Sequence, residues 1–309
     1  MSLYPSPQER PTELFTRLPD QYRDHETESG WVTANKPGQK IHSFLEGPSF
    51  DREGNLYVTD IPYGRIFRIT PDGAWHLVIQ YDGWPNGLKI HQDGSLYIAD
   101  YKQGILRLRP DTKSIEPVLT HRRSEGFKGV NDLIFDRYGR LYFTDQGQTG
   151  MHDPTGRVFR YDPDEQRLDC LLTNGVSPNG IALSPDQNAL YVAMTRGNAV
   201  WRLPIFNDGS VSKVGIFVQM AGGVSGADGM AVDQAGNLYV ADAGNGCVWS
   251  FSPQGRPLHR YLVATGGPTV TNLAFGGAEN RTLFIIDSSN GAISCVETEE
   301  PGLALYSHS

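Results

Sequence analysis

Six runs in this chain begin on a carboxylate or amide side chain and return at nearly constant spacing. They are EGPSFD at Glu46, NGLKIH at Asn86, NDLIFD at Asn131, NGIALS at Asn179, DGMAVD at Asp228 and NLAFGG at Asn272. Each is followed by a second run: LYVTD, LYIAD, LYFTD, LYVAM, LYVAD and LFIID. The intervals between the first residues are 40, 45, 48, 49 and 44. A unit of that length suits one four-stranded propeller blade, so six units predict an all-β, six-bladed β-propeller. Radial repetition brings equivalent positions to one central channel. A polar residue recurring at one position therefore predicts a ring of oxygen atoms around the axis.

The grammar within each unit is regular. An inner strand leads to a tight turn, DREGN, DRYGR or DQAGN, whose Asp, Gly and Asn residues supply the left-handed positions a hairpin needs. Aromatic and β-branched residues then mark a second strand, followed by a third and a weaker fourth. No segment has sustained helical periodicity. The acidic residue that ends the second strand recurs as Asp60, Asp100, Asp145, Asp242 and Asp287, with Met194 breaking the series. Its recurrence predicts an Asx-type bond to the next loop, Asp60 and Asp145 being the copies with the strongest claim to more.

The repeats run to about residue 297 without a linker, which predicts one propeller domain over 41–309. Residues 1–40 are polar and contain proline, and are expected to form an extension packing on the propeller. The strand that closes the ring is expected from Leu14–Leu18 in this extension or from Leu303–Tyr306 at the other end.

Composition narrows the partners. A net charge of -8 offers no positive field for a phosphate backbone or an anionic membrane surface. His121-Arg122-Arg123 is too short a basic cluster to change that. Cys170, Cys247 and Cys295 lack the spacing of a disulfide framework or zinc cage and read as small core residues. There is no apolar run long enough to span a bilayer and no signal-peptide pattern at the N-terminus, so the expected location is cytoplasmic.

Two readings of the recurrent polar position compete. Asn-Gly and Asp-Gly are turn signals, which would account for Asn86, Asn179 and Asp228. Turns do not account for Glu46, or for Asn131 followed by Asp132. Two buried carboxylates about 4 Å apart repel by about 4 kcal/mol at an effective dielectric near 20, unless one is protonated or a cation sits between them. Two carboxylates with amide oxygens from Asn131 and Asn179 suit one hard divalent ion, Ca²⁺ ahead of Mg²⁺, Mn²⁺ or Zn²⁺.

These residues resemble the SMP-30/gluconolactonase/luciferin-regenerating-enzyme family of six-bladed propellers, over about residues 44–297. SPNGIALSPD and GADGMAVD are the most specific pieces, and EGFKGVNDLIFD with LYFTD is similar to bacterial lactonases of the drug-responsive-protein type. The resemblance implies a metal site of Glu46, Asn131, Asn179 and Asp228. It also implies hydrolysis of a small-molecule lactone or related ester, with Asp228 as the base. The residue types agree: a metal ion polarises a carbonyl, and a carboxylate beside it takes a proton or attacks directly. No glycine-flanked nucleophile elbow surrounds Ser49, Ser177 or Ser225, and His25-Glu26 lacks the second His of a metalloprotease motif. Sugar-lactone members carry an Arg or an Asn-Ser-Pro stretch where this chain has Phe127-Lys128-Gly129-Val130, which weakens a sugar-lactone assignment. Lys128 is either an anion contact or a solvated loop residue.

Asn86, Asn272, His152 and Tyr63 are further substrate-contact candidates, with His42 and Trp84 near the same mouth. A phosphotriesterase or fluorophosphatase of the same fold and a non-enzymatic interaction propeller stand as alternatives. A strictosidine-synthase-like propeller is disfavoured, because those relatives lack the metal cage.

Overall fold

The LYV-like runs are extended and buried on both faces, with Leu56, Val58, Leu141, Phe143, Leu190, Val192, Leu238 and Val240 all inaccessible. Such residues form middle strands, and each run is the second strand of a four-stranded antiparallel sheet in the computed structural model, which describes residues 6–24, 26–222 and 226–308. His25 and Ser225 lie outside the described residues. Six sheets stand around one axis, as the repeat predicts. Their inner strands are Leu45–Phe50, Pro85–Ile90, Val130–Phe135, Pro178–Leu183, Gly226–Val232 and Val270–Gly276, in blades one to six.

The hairpin after each inner strand follows its turn chemistry. In blade one Asp51 Oδ1 accepts the Asn55 N–H at 2.8 Å, and in blade five Asp233 Oδ1 accepts the Asn237 N–H at 2.8 Å. Gly54 and Gly236 take the left-handed positions of these turns, at φ 81° and 85°. Apolar clusters fill the wedges between blades. Tyr57 and Ile66 of blade one pack with Leu88 and Ile98 of blade two, and Phe284 and Ile293 of blade six pack with Val58 and Phe67 of blade one.

The N-terminal strand closes the ring. Glu13–Arg17 pairs antiparallel with Ala292–Glu297 as the outer strand of blade six, and Leu18 is buried behind it. The ring therefore draws on residues before position 41. Gln8–Pro11 adds a fifth, parallel strand to blade five. The C-terminal run instead crosses the far end of the channel, where Arg52 Nε donates to the Ser307 carbonyl at 2.8 Å. It borders a cavity of about 410 Å³ lined mostly by apolar residues, among them Phe50, Ile134, Leu183, Val232 and Phe275.

The extension also forms a six-residue helix, Gly30–Asn35, that periodicity did not predict. No helix among the described residues is long and apolar enough to cross a membrane. The three cysteines are free, Cys247 buried and the other two half-buried.

Candidate active site

All six inner strands carry a β-bulge at or beside the recurrent polar position. The ladder slips between Glu46 and Ser49, Pro85 and Leu88, Val130 and Leu133, Pro178 and Ile181, Ala227 and Met230, and Val270 and Leu273. A bulge re-aims the side chain it carries, and six in register hold Glu46, Asn86, Asn131, Asn179, Asp228 and Asn272 buried at one level of the channel. The Asn-Gly and Asp-Gly pairs therefore lie inside strands, and the turn reading fails. The glycine serves close packing. A Cβ on Gly180 would stand 2.2 Å from the Asp228 carbonyl, and one on Gly229 would stand 2.1 Å from the Asn272 side chain.

Hydroxyl groups tie neighbouring blades together at this level. Thr59 donates to the Asn86 carbonyl at 2.6 Å, Thr144 to that of Asn179 at 2.7 Å, and Thr195 to that of Ala227 at 2.8 Å. Thr271 closes the circle on the Leu45 carbonyl at 2.9 Å.

Glu46 is 3% exposed, and burial pushes it up to about 7. Its Oε2 accepts the Asn272 amide at 2.8 Å and the Gly47 N–H at 3.0 Å, which favour the charged form. Asp228 is 8% exposed and raised well above the usual carboxylate range, first by burial and then by the charge of Glu46. The Asn179 amide beside it acts in the opposite sense. Asp228 Oδ1 is buried with no hydrogen-bond partner. Asn131 gives its Nδ2 to Gln146 Oε1 at 3.0 Å, and Gln146 in turn donates to Ser177 Oγ at 3.0 Å. This fixes the amide and leaves Asn131 Oδ1 free to accept or to ligate.

These groups fit a hard divalent cation. An orphaned carboxylate oxygen, a second carboxylate raised by burial and an oxygen-only donor set are what such an ion satisfies. Among the described residues no three His, Cys, Asp or Glu side chains gather as a metal cluster, so amide oxygens are needed to complete a shell.

Sequence reasoning missed Asp132 and Lys89. Asp132 is 2% exposed and raised by burial, and the ammonium of the buried Lys89 lies 3.9 Å from its Oδ1, offsetting part of that rise. The pair places a third carboxylate and one cation at the channel wall. The NDLIFD and NGLKIH runs contain both residues, but a strict strand alternation hides them.

The further candidates diverge. Asn86 lies in the ring. Asn272 has its Nδ2 on Glu46 and its Oδ1 on the Leu273 N–H at 2.9 Å. Tyr63 donates its hydroxyl to the carbonyls of Asp24 and Ile41, pinning the N-terminal extension. His152 is exposed on the loop 146–156, and His42 lies against Arg23 and Ser43. Trp84 packs beside the short helix, next to Gly30. Asp60 and Asp145 have structural bonds, each to a loop N–H and to an arginine, Arg65 and Arg157.

Residues 44–289 match the sequence family described as SMP-30/Gluconolactonase/LRE-like region. Lactonase drp35 of Staphylococcus aureus strain MRSA252 is 31% identical over 247 residues, covering 77% of this chain and 74% of that protein. Lactonase drp35 of Staphylococcus epidermidis strain ATCC 12228 is 32% identical over 248 residues, with the same coverage. Among solved structures, regucalcin of Agrobacterium tumefaciens strain C58, described as a calcium-binding protein, superposes with a TM-score of 0.73 at 20% identity. That match covers 96% of this chain and 99% of that one, and shows the shared fold. The family match spans every ring residue from Glu46 to Asn272, and the chain belongs to the SMP-30/gluconolactonase/LRE-like family.

Proposed function

We propose that this protein is a lactonase-type hydrolase that opens a lactone ring with one divalent cation, Ca²⁺ first, in its channel. The lactonase relatives and the family support the reaction class. The single observation that carries the site is the buried, unpartnered Oδ1 of Asp228 beside Glu46.

Glu46, Asn131, Asn179 and Asp228 are the residues that would hold the ion. Once bound, it supplies Lewis acidity toward the lactone carbonyl. Asp228 presents a carboxylate oxygen with no protein hydrogen-bond partner, and the charge of a bound cation would keep that carboxylate ionised, as a general base must be. Asp228 takes a proton from water as the water oxygen bonds to the carbonyl carbon. The acyl carbon–ring oxygen bond then breaks, and the departing oxygen takes that proton to give the hydroxy acid. Asn272 and Gly47 hold Glu46 in its orientation by two bonds to Oε2. Gln146 holds Asn131. Asn86 lies in the same ring and faces the substrate.

The test is Asp228→Asn, purified with its fold checked by circular dichroism and assayed on a panel of lactones. The expected result is a folded protein without hydrolysis. Full activity in that variant removes Asp228 from the mechanism.

A further inference from the structure

Beyond the oxygen ring, the inner strands form a second circle of residues. Each stands opposite the first aromatic residue of its middle strand: Ser49 opposite Tyr57, Lys89 opposite Tyr97, Ile134 opposite Tyr142, Ala182 opposite Tyr191, Ala231 opposite Tyr239 and Ala274 opposite Phe284. All but Ser49 line the cavity of about 410 Å³ at the far end of the channel. Blades four, five and six each place an alanine here. Short side chains on three consecutive blades leave open the space that larger ones would fill.

The walls of this space are apolar and unfilled. Ile134 is 8% exposed and Ala274 is 7%, whereas Leu133 and Leu273 beside them are 0% and 2%. The C-terminal run covers the cavity with Leu303 and Leu305. It is held there by the Leu303 N–H on the Val232 carbonyl at 2.9 Å and by the bond from Arg52 to Ser307. Exposed Glu279 and His308 mark the rim. At about 30 Å³ for each water-sized group, the space holds roughly a dozen non-hydrogen atoms. Water finds few hydrogen bonds against such walls, and an apolar guest supplies the dispersion contacts they lack.

The polar end lies on blade two. Lys89 is buried, and its ammonium reaches the Leu88 carbonyl at 3.3 Å and stands 3.9 Å from Asp132 Oδ1, beyond hydrogen-bond range. Asp132 balances its charge, but its three N–H donors are not all used. On the adjoining blade Ser49 Oγ is buried with no hydrogen-bond partner among the described residues. A balanced charge gives an anion no advantage. Unused donors suit a neutral oxygen.

We propose that this cavity is a second ligand site, for a neutral molecule with a hydrocarbon body and one hydroxyl or carbonyl oxygen. The oxygen accepts from Lys89, and the body lies against Ile134, Ala182, Ala231 and Ala274. The site is separate from the oxygen ring and stands whether or not the protein opens lactones.

The probes are hexan-1-ol, octan-1-ol and octanoate, titrated calorimetrically into the wild-type protein. Octan-1-ol is expected to bind once per chain with a Kd of about 0.1–1 mM, within reach of so small a ligand. Hexan-1-ol is expected to bind about tenfold more weakly, each buried methylene contributing about fourfold. Octanoate is expected to bind at least about tenfold more weakly than octan-1-ol, because its charge must leave water. Ala182→Leu and Ala274→Leu, made separately, fill the space from two blades. Each is expected to weaken octan-1-ol by about tenfold or more. Methyl NMR of the wild-type protein locates the site without a variant: Ile134 and Met230 should shift with octan-1-ol, while Leu190 and Val240 in the wedges between blades should not. No saturable binding of octan-1-ol, binding that a folded filling variant leaves intact, or shifts that spare Ile134 and Met230 would overturn the site. Octanoate binding as tightly as octan-1-ol would overturn the neutral ligand class.

Discussion

Asn272 donates its amide to Glu46 Oε2 at 2.8 Å, joining the inner strand of blade six to that of blade one across 226 residues of sequence. The bond aims Glu46 into the channel and also helps close the circle. Propeller closure and the orientation of the Glu46 carboxylate are therefore one feature, and a defect in either is felt by the other.

Removing that donor should weaken the cation site while leaving Glu46 in place. Asn272→Ala is expected to lower divalent-ion affinity by about 10- to 100-fold, the usual cost of losing a partner that orients a ligand. Isothermal titration with Ca²⁺ measures it. An unchanged affinity would show that Gly47 alone orients the carboxylate.

Glu46→Gln should lose metal affinity before it loses anything else. Lactone hydrolysis at low Ca²⁺ is expected to fall sharply and to recover in part at high Ca²⁺. If excess Ca²⁺, Mg²⁺, Mn²⁺ and Zn²⁺ all fail to rescue a folded variant, Glu46 has another role.

Stability in chelator should fall as pH rises. Glu46 has its folded value raised to about 7 from an ordinary value of 4.5, and Asp228 is raised in the same sense. Between those values the folded state holds more protons than the unfolded state, so unfolding becomes easier with each increment of pH. The penalty from Glu46 starts near 4.5 and is complete above about 7. Ca²⁺ should reduce this slope and release protons on binding at pH 6. Melting temperatures across this pH range, with and without Ca²⁺, measure the effect; equal slopes in the two conditions would contradict it.

Gly229→Ala should destabilise the channel wall. Its Cβ would stand 2.1 Å from the Asn272 side chain, in a site with rigid strands on both sides. A loss of roughly 1–3 kcal/mol is expected from overpacking, with a drop in metal affinity as Asn272 is displaced from Glu46. Urea unfolding of the metal-free variant separates the two effects.

The blades and the ring were legible because the repeat shows them six times over. Glu46, Asn131, Asn179 and Asp228 occupy one position in the repeat, and an interval of 40 to 49 residues leaves little freedom in where that position lies. Asp132 was hidden by the bulge at Asn131, because strict alternation sends the residue after a channel residue to the other face. Lys89 was hidden for a related reason, since a lysine in a strand reads as a solvated side chain. Gln146 lies in a loop, where no periodicity marks a partner for Asn131. The helix Gly30–Asn35 has six residues, too few to leave a helical period. Thr59 and Thr144 stand just before the recurrent aspartate, but their bonds run to the next blade, which only closure of the ring brings near.

The most direct test of the account is metal content by mass spectrometry on the purified protein, coupled to lactone hydrolysis before and after chelation. The account predicts one divalent ion per chain, with hydrolysis lost on its removal and restored on its return. Lactone hydrolysis that persists unchanged in a metal-free protein would contradict it.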